Sequence, residues 1–259
     1  MDVADRQKPK PGELFVDHVS HFVADLGAAA RAFEDLGMKV TPASVQVAAD
    51  GPVGASNRCV MLDEGYIELL SPTHDTPSAQ RLRAYMGKYT GVHLVCFGTP
   101  DAEGEQRRLQ AHGFEAQLVE FEREVEGGTA RFKAVRVSPE TMPEGRIQYV
   151  QQMAPEHVWL PGYVNQGRLD EVYVVAADPV EAAVRWGRFT ALMPSPEAHC
   201  IRLKAARGSI VIGDRAAIVR LLGDAPHAPG IAGYSLQGAS AKRLVALPPA
   251  VGGALRLEP

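Results

Sequence analysis

The feature that most constrains this chain is an internal repeat. A β-branched strand running into an aspartate-capped helix occurs at Val16–Asp25 and again at Leu169–Asp178. Aligned without gaps, Asp17/Asp170, Val19/Val172, Ala24/Ala177 and Asp25/Asp178 are identical. An aspartate at the helix start satisfies backbone N–H groups that have no partner within the helix. A looser copy of the same step opens at Gly91, where GVHLVCF precedes a helix from Asp101 to His112 that ends at Gly113. A fixed order of elements recurring along a chain predicts duplicated supersecondary units.

Each copy continues in the same way. After the first strand, LGAAARAFEDLG presents Leu26, Ala29, Ala30, Phe33 and Leu36 as one apolar face, with Gly37 as the residue that ends the helix. MKVTPASVQV, NRCVML and YIELL then read as strands. The second copy follows with FEAQLVEF, ARFKAVRV and GRIQYVQ, and the third with VEAAVRWGRF, IRLKAA and SIVIGD. The remainder, Arg215 to Pro259, reads as a shortened fourth copy. The expected fold is α+β, built of repeated βαβββ modules. The expected layout is a flexible leader at 1–12, paired modules at 13–155, a Pro- and Gly-containing linker at 156–168, and a second half at 169–259.

Composition narrows the classes of function. A net charge of −4 with scattered basic residues leaves no broad nucleic-acid footprint. No apolar run approaches the ~20 residues that span a bilayer. Cys59, Cys96 and Cys200 lack CxxC spacing, which suits a reducing compartment. The first residues lack the apolar core of a signal peptide, so a cytoplasmic protein is expected. Pairing into a homodimer is left open.

DHVSHFVADLGAAARAFEDLGM, with GASNRCVMLDEGYIELLSP and RIQYVQQMAPEHVWLP, resembles the vicinal oxygen chelate superfamily. The whole chain is similar to the longer glyoxalase-like domain proteins of that group, over residues 14 to 213. The resemblance implies two modules whose sheets form a half-barrel cup around a divalent metal, Fe, Mn, Ni or Zn. Its ligands would come from the first and last strands of each module. Carried over residue by residue, those positions are His18, Glu68, His93 and Gln148 (or Gln152), with the first three also catalytic.

Strand alternation bears on these positions. His18, Ser20 and Phe22 share one face, and His93, Val95 and Phe97 are expected to match them. Glu68 lies between Ile67 and Leu69, where a carboxylate needs a cation. That cation is a metal, or Arg58 or Arg146 across the sheet. Asn57 and Arg58 are expected to face the cup and orient substrate, beside Phe22 and Phe97; a turn-ending Asn is the other reading of Asn57. Gln148 cannot accept a proton, so glyoxalase I chemistry is not expected. Glu171 takes the place of His18 in the third module, which suggests a structural second half. The expected function is a metal-dependent isomerase, lyase or dioxygenase acting on a small oxygenated molecule. The alternative is a metal-free ligand-sequestering protein of the bleomycin-resistance type.

Overall fold

The computed structural model describes residues 8–48, 51–227 and 229–259, so residues 1–7 of the expected leader lie outside the described residues. The chain runs β1 (Phe15–Phe22), α1 (Leu26–Glu34), β2 (Ser44–Ala48), β3 (Gly51–Glu64), β4 (Tyr66–Pro72), α2 (Pro77–Met86), β5 (Val92–Gly98), α3 (Ala102–Ala111), β6 (Ala116–Val125), β7 (Gly128–Val137) and β8 (Arg146–Gln152). After two short 3-10 turns come β9 (Val164–Val175), α4 (Pro179–Thr190), β10 (Pro194–Pro196), β11 (Ile201–Lys204) and β12 (Ser209–Gly213). The chain ends with α5 (Arg215–Leu222), β13 (Gly230–Gln237), β14 (Arg243–Ala246) and β15 (Ala254–Glu258).

The repeated aspartates act alike. Asp25 accepts from the backbone N–H groups of Gly27 and Ala28, and Asp178 from those of Val180 and Glu181. In each module the first strand then pairs in parallel with the last: β1 with β4, β5 with β8, β9 with β12, and β13 with β15. First strands of paired modules lie antiparallel, β1 against β5 and β9 against β13. Beyond the half-barrel that the resemblance implies, β2 meets β6 through Gln46–Arg123 and Val47–Glu122. That seam closes β1-β4-β3-β2-β6-β7-β8-β5 into a ring of eight strands. An eight-stranded barrel leaves an interior that side chains fill, or that holds one small ligand.

β9 begins at Val164, inside the stretch expected as linker, and pairs in parallel with β3 from Met61 onwards. MKVTPASVQV contributes only Ser44–Ala48 as strand. Helix α2, absent from the reading above, is started by Thr76, whose hydroxyl accepts from Ala79 N–H, with Pro77 in its first turn. It buries Ala79, Leu82 and Tyr85.

Alternation along the barrel strands sorts the core into two. Val19, Val60, Ile67, Leu69, Val95 and Ile147 point outward to Phe33, Leu109, Trp186 and Phe189 of α1, α3 and α4. Cys59, Met61, Tyr66, Leu70, Leu94, Cys96, Phe132 and Val150 belong to the inner cluster. No described helix is long and apolar enough to cross a membrane.

Candidate functional site

The first module places its residues as strand alternation demands. His18 and Glu68 both line the lumen, and Ser20, also on that face, donates to Glu68 Oε2 at 2.5 Å. Asn57 Nδ2 donates to Glu68 Oε1 at 2.7 Å, and Ser44 Oγ donates to Asn57 Oδ1 at 2.6 Å. Burial opposes the Glu68 charge, but His18 nearby and the Ser20 and Asn57 hydrogen bonds outweigh it and hold the carboxyl below its ordinary value. His18 Nδ1 lies 2.6 Å from Asp17 Oδ1 and its ring stacks on Tyr66 at 4.3 Å. Burial disfavours the imidazolium, yet Cys96 and the bonded Asp17 carboxylate overcome this and raise the His18 pKa well above its ordinary value. The lumen therefore sets an imidazole bonded to Asp17 beside a carboxylate held by two hydrogen bonds. Gln152 Nε2 donates to Asp17 Oδ2 at 2.7 Å, so it steadies the residue that steadies His18.

The second module is out of phase with the expectation. Ser20 pairs in register with Glu68, and Cys96 with Gln148. By that equivalence the counterpart of His18 is Leu94, and His93 is the counterpart of Asp17. Leu94 lines the lumen with Gln148, whereas Val95 and Phe97 turn outward. A slip of one residue sends every side chain of a strand to the other face. Phe97 packs against Tyr149 at 5.8 Å and Phe189 at 6.2 Å, outside the cup. His93 lies between Phe22 and Tyr89 with both nitrogens engaged: Nε2 donates to the Tyr89 carbonyl at 2.8 Å and Nδ1 accepts from Phe22 N–H at 3.3 Å. Burial pushes its pKa down to about 4, so the ring is neutral and has no free lone pair. Phe22 stays in the inner cluster, against Tyr85 and His93. Arg58 points outward, its Nε donating to the Thr41 carbonyl at 2.8 Å and its Nη2 meeting Glu34 at 3.4 Å.

The donor set does not suit a resident divalent metal. The four equivalent positions carry an imidazole, a carboxylate, an amide and an alkyl group: His18, Glu68, Gln148 and Leu94. Gln148 Oε1 already accepts from Arg146 Nε at 3.1 Å, and its Nε2 donates to Cys96 Sγ at 3.6 Å. Among the described residues no group of three His, Cys, Asp or Glu side chains is placed to hold a metal ion. His93, with both ring nitrogens engaged, is thus not a ligand in this arrangement, which leaves His18, through Nε2, and Glu68 as the donors facing the lumen.

Cations of a different kind occupy the lumen. Arg123, Arg136 and Arg146 line it together with Gln46, Tyr66, Leu70, Leu82, Phe121 and Phe132. Among the described residues, none of the three arginines has a carboxylate within ion-pairing distance. Arg123 is 4% exposed, and its Nε and that of Arg136 have no hydrogen-bond partner. Burial, with Arg146 and Arg81 beside it, drives the Arg136 guanidinium well below its ordinary pKa. The free cavity is about 30 Å³, room for roughly one or two water molecules. The sequence did hold a signal for these residues. Arg136 falls in the same strand phase as Ala130, Phe132 and Ala134, and Arg123 in that of Phe121. An arginine in the apolar phase of an alternating strand points inward.

In the second half, Glu171 is paired instead: it meets Arg202 Nη1 at 2.5 Å and accepts from the Tyr173 hydroxyl. Val211 takes the place of Glu68, by the pairing of Tyr173 with Val211 in β9 and β12.

A hypothetical protein from Staphylococcus aureus has a similar structure, with a TM-score of 0.75 at 17% identity over 95% of this chain and 99% of that chain. A mutant of 4-hydroxymandelate synthase from Streptomyces coelicolor gives a TM-score of 0.58 at 17% identity over 88% of this chain and 72% of that one. Both likenesses concern the fold. Among curated proteins none matches. The family model described as a glyoxalase-like domain matches residues 16–190. That match spans both barrel modules and the start of the second half, so the chain belongs to the glyoxalase-like domain family.

Proposed function

We propose that the barrel lumen binds a small organic anion without a resident metal, the second of the two functions read from the sequence. The observation that carries this reading is the convergence of Arg123, Arg136 and Arg146 in one lumen whose lining, among the described residues, offers them Glu68 as its single carboxylate. Guanidinium groups that outnumber the carboxylates around them in a largely desolvated lumen are costly, and a carboxylate or phosphate ligand supplies further charge and bidentate acceptors. Leu70, Leu82, Leu94, Phe121 and Phe132 give the ligand an apolar body to match. Arg136 and Arg146 also line a space of about 290 Å³ just outside the lumen, into which a ligand held by them would extend.

A second reading is favoured by one observation, the Asp17-bonded His18 lining the same lumen as Glu68. A proton donor and an acceptor in one pocket suit acid–base chemistry on the bound anion. Under this reading Glu68→Gln keeps ligand affinity and abolishes turnover.

Calorimetry with octanoate and octylamine tests the first reading. Saturable binding of the acid alone, lost in Arg146→Met, supports it; equal behaviour of acid and amine sinks it. Elemental analysis of untagged protein is the companion measurement. A stoichiometric first-row metal that disappears in His18→Ala would overturn the metal-free reading.

A further inference from the structure

At its inner end the lumen balances its own charges. Asp17 bonds His18 at 2.6 Å, and the Glu68 carboxylate attracts Arg123. Arg136 and Arg146 form no ion pair among the described residues. Gln148 stands directly across from Arg136 in the β7–β8 ladder, and Arg146 lies two residues back along β8, on the same face. Diagonal neighbours of this kind sit about 7–8 Å apart. The Nε of Arg136 has no hydrogen-bond partner, while that of Arg146 donates to Gln148 at 3.1 Å.

The space of about 290 Å³ outside these two adds a third guanidinium, Arg81 of α2. Helix α2 turns Ser78 and Leu82 to the lumen, whereas Arg81 lines only the outer space. The three groups act on one another, because Arg136 is repelled by both Arg146 and Arg81. The one carboxylate lining the space is Glu115, which is exposed and pairs with none of them among the described residues. Glu140, one residue beyond the lining Pro139, accepts from the Ser138 hydroxyl instead. Three guanidinium groups against one exposed carboxylate leave a surplus of two positive charges around one small space.

We infer that the ligand presents a phosphoryl group to this outer space, held between Arg81, Arg136 and Arg146. A carboxylate brings one negative charge, whereas a phosphomonoester brings about −1.5 to −2 at pH 7 and three acceptor oxygens. That matches the surplus charge and gives each guanidinium an oxygen. Planar guanidinium forks suit phosphate, and a tetrahedral head bridges two of them set a strand diagonal apart while the third closes from α2. The head group lies on the outer side of Arg136 and Arg146, and asks for none of the roughly 30 Å³ within the lumen. This inference rests on the anion reading above and names its ligand class.

Phenyl phosphate and phenyl sulfate share a shape and differ by one charge, so calorimetric titration of the full chain with each isolates the claim. At ~pH 8, where the phosphate is a dianion, it is expected to bind about tenfold or more tightly, a gap of ~1.4 kcal/mol. Arg81→Ala, at an exposed position that the fold does not need, is expected to narrow that gap. Equal affinity for the two esters, or a gap that survives Arg81→Ala, overturns the inference, and octanoate binding then keeps the anion reading standing. Malonate binding as tightly as phenyl phosphate also overturns it, since two carboxylates then serve as well. Inorganic phosphate separates the sources of the group: weaker binding than phenyl phosphate assigns an ester, equal binding assigns free phosphate, and either supports the inference. Binding of none of phenyl phosphate, phenyl sulfate and octanoate overturns both readings.

Discussion

Replacing Arg136 by methionine is expected to stabilise the unliganded protein and to weaken its grip on anions. The Arg136 guanidinium is buried at the lumen mouth, repelled by Arg146 and Arg81, and its Nε has no partner. Exchanging whole buried ion pairs for apolar side chains gains up to about 1–4 kcal/mol, an upper limit for the single, half-buried Arg136. Against this stands the loss of the cation–π contact with Phe121, roughly 0.5–2 kcal/mol. Relief of desolvation and repulsion wins, and a net gain of about 1–2 kcal/mol follows. For a chain of this size that corresponds to a rise in Tm of roughly 2–4 °C per kcal/mol. Octanoate added in saturating amounts reverses the order, because only the wild type gains from binding; at a hundred times Kd the gain is about 2.7 kcal/mol. Thermal and urea melts with and without the acid read both halves. A variant less stable than the wild type without ligand refutes the idea that these arginines stand uncompensated.

Three further outcomes are expected. Arg185→Met removes the two-pronged partner of Glu144, a carboxylate 2% exposed and bonded at 2.9 Å through both oxygens; urea denaturation is expected to show a loss of about 3–5 kcal/mol, and a loss below ~1 kcal/mol contradicts it. His93 has a pKa of about 4 in the fold against an ordinary 6.5, so below pH 6.5 the unfolded chain takes up a proton that the native state refuses, and stability falls with pH. His93→Phe is therefore expected to flatten the stability profile between pH 7 and 5 by about 1.4 kcal/mol per pH unit below 6.5; an unchanged slope counts against a buried neutral ring. Asn57→Leu takes a 2.7 Å donor from Glu68 and is expected to cost about 1–3 kcal/mol while raising the carboxyl pKa, as followed by carboxyl NMR titration.

Local signals carried most of the architecture. Asp25, Asp101 and Asp178 cap their helices because a side-chain oxygen next to free N–H groups is a short-range effect, visible in any window of sequence. The face of the first strand was legible for the same reason, and His18 and Glu68 share the lumen. The second strand was misread because His93 looks like His18 in type while Leu94 is its equivalent in register. Only the pairing of β5 with β8, more than forty residues apart, fixes that phase. The inward phase of Arg123 and Arg136 is local, but their sharing one lumen depends on β2 meeting β6, a contact no local pattern announces. Helix α2 has the lowest contrast of all, with a modest apolar face broken by Arg81 and Arg83.

The β2–β6 seam carries two residue pairs, Gln46–Arg123 and Val47–Glu122, among the described residues. A cylinder stitched by so few rungs has a designated weak place. Parting them turns the ring into an open trough while every other ladder stays whole, at a cost far below global unfolding. Gln46 and Arg123 are themselves stitches and lumen walls, so whatever engages Arg123 also bears on the clasp. Breathing of this suture then gives guests a route to solvent beside the one past Arg136 and Arg146, and a covalent staple across Val47 and Glu122 would close it.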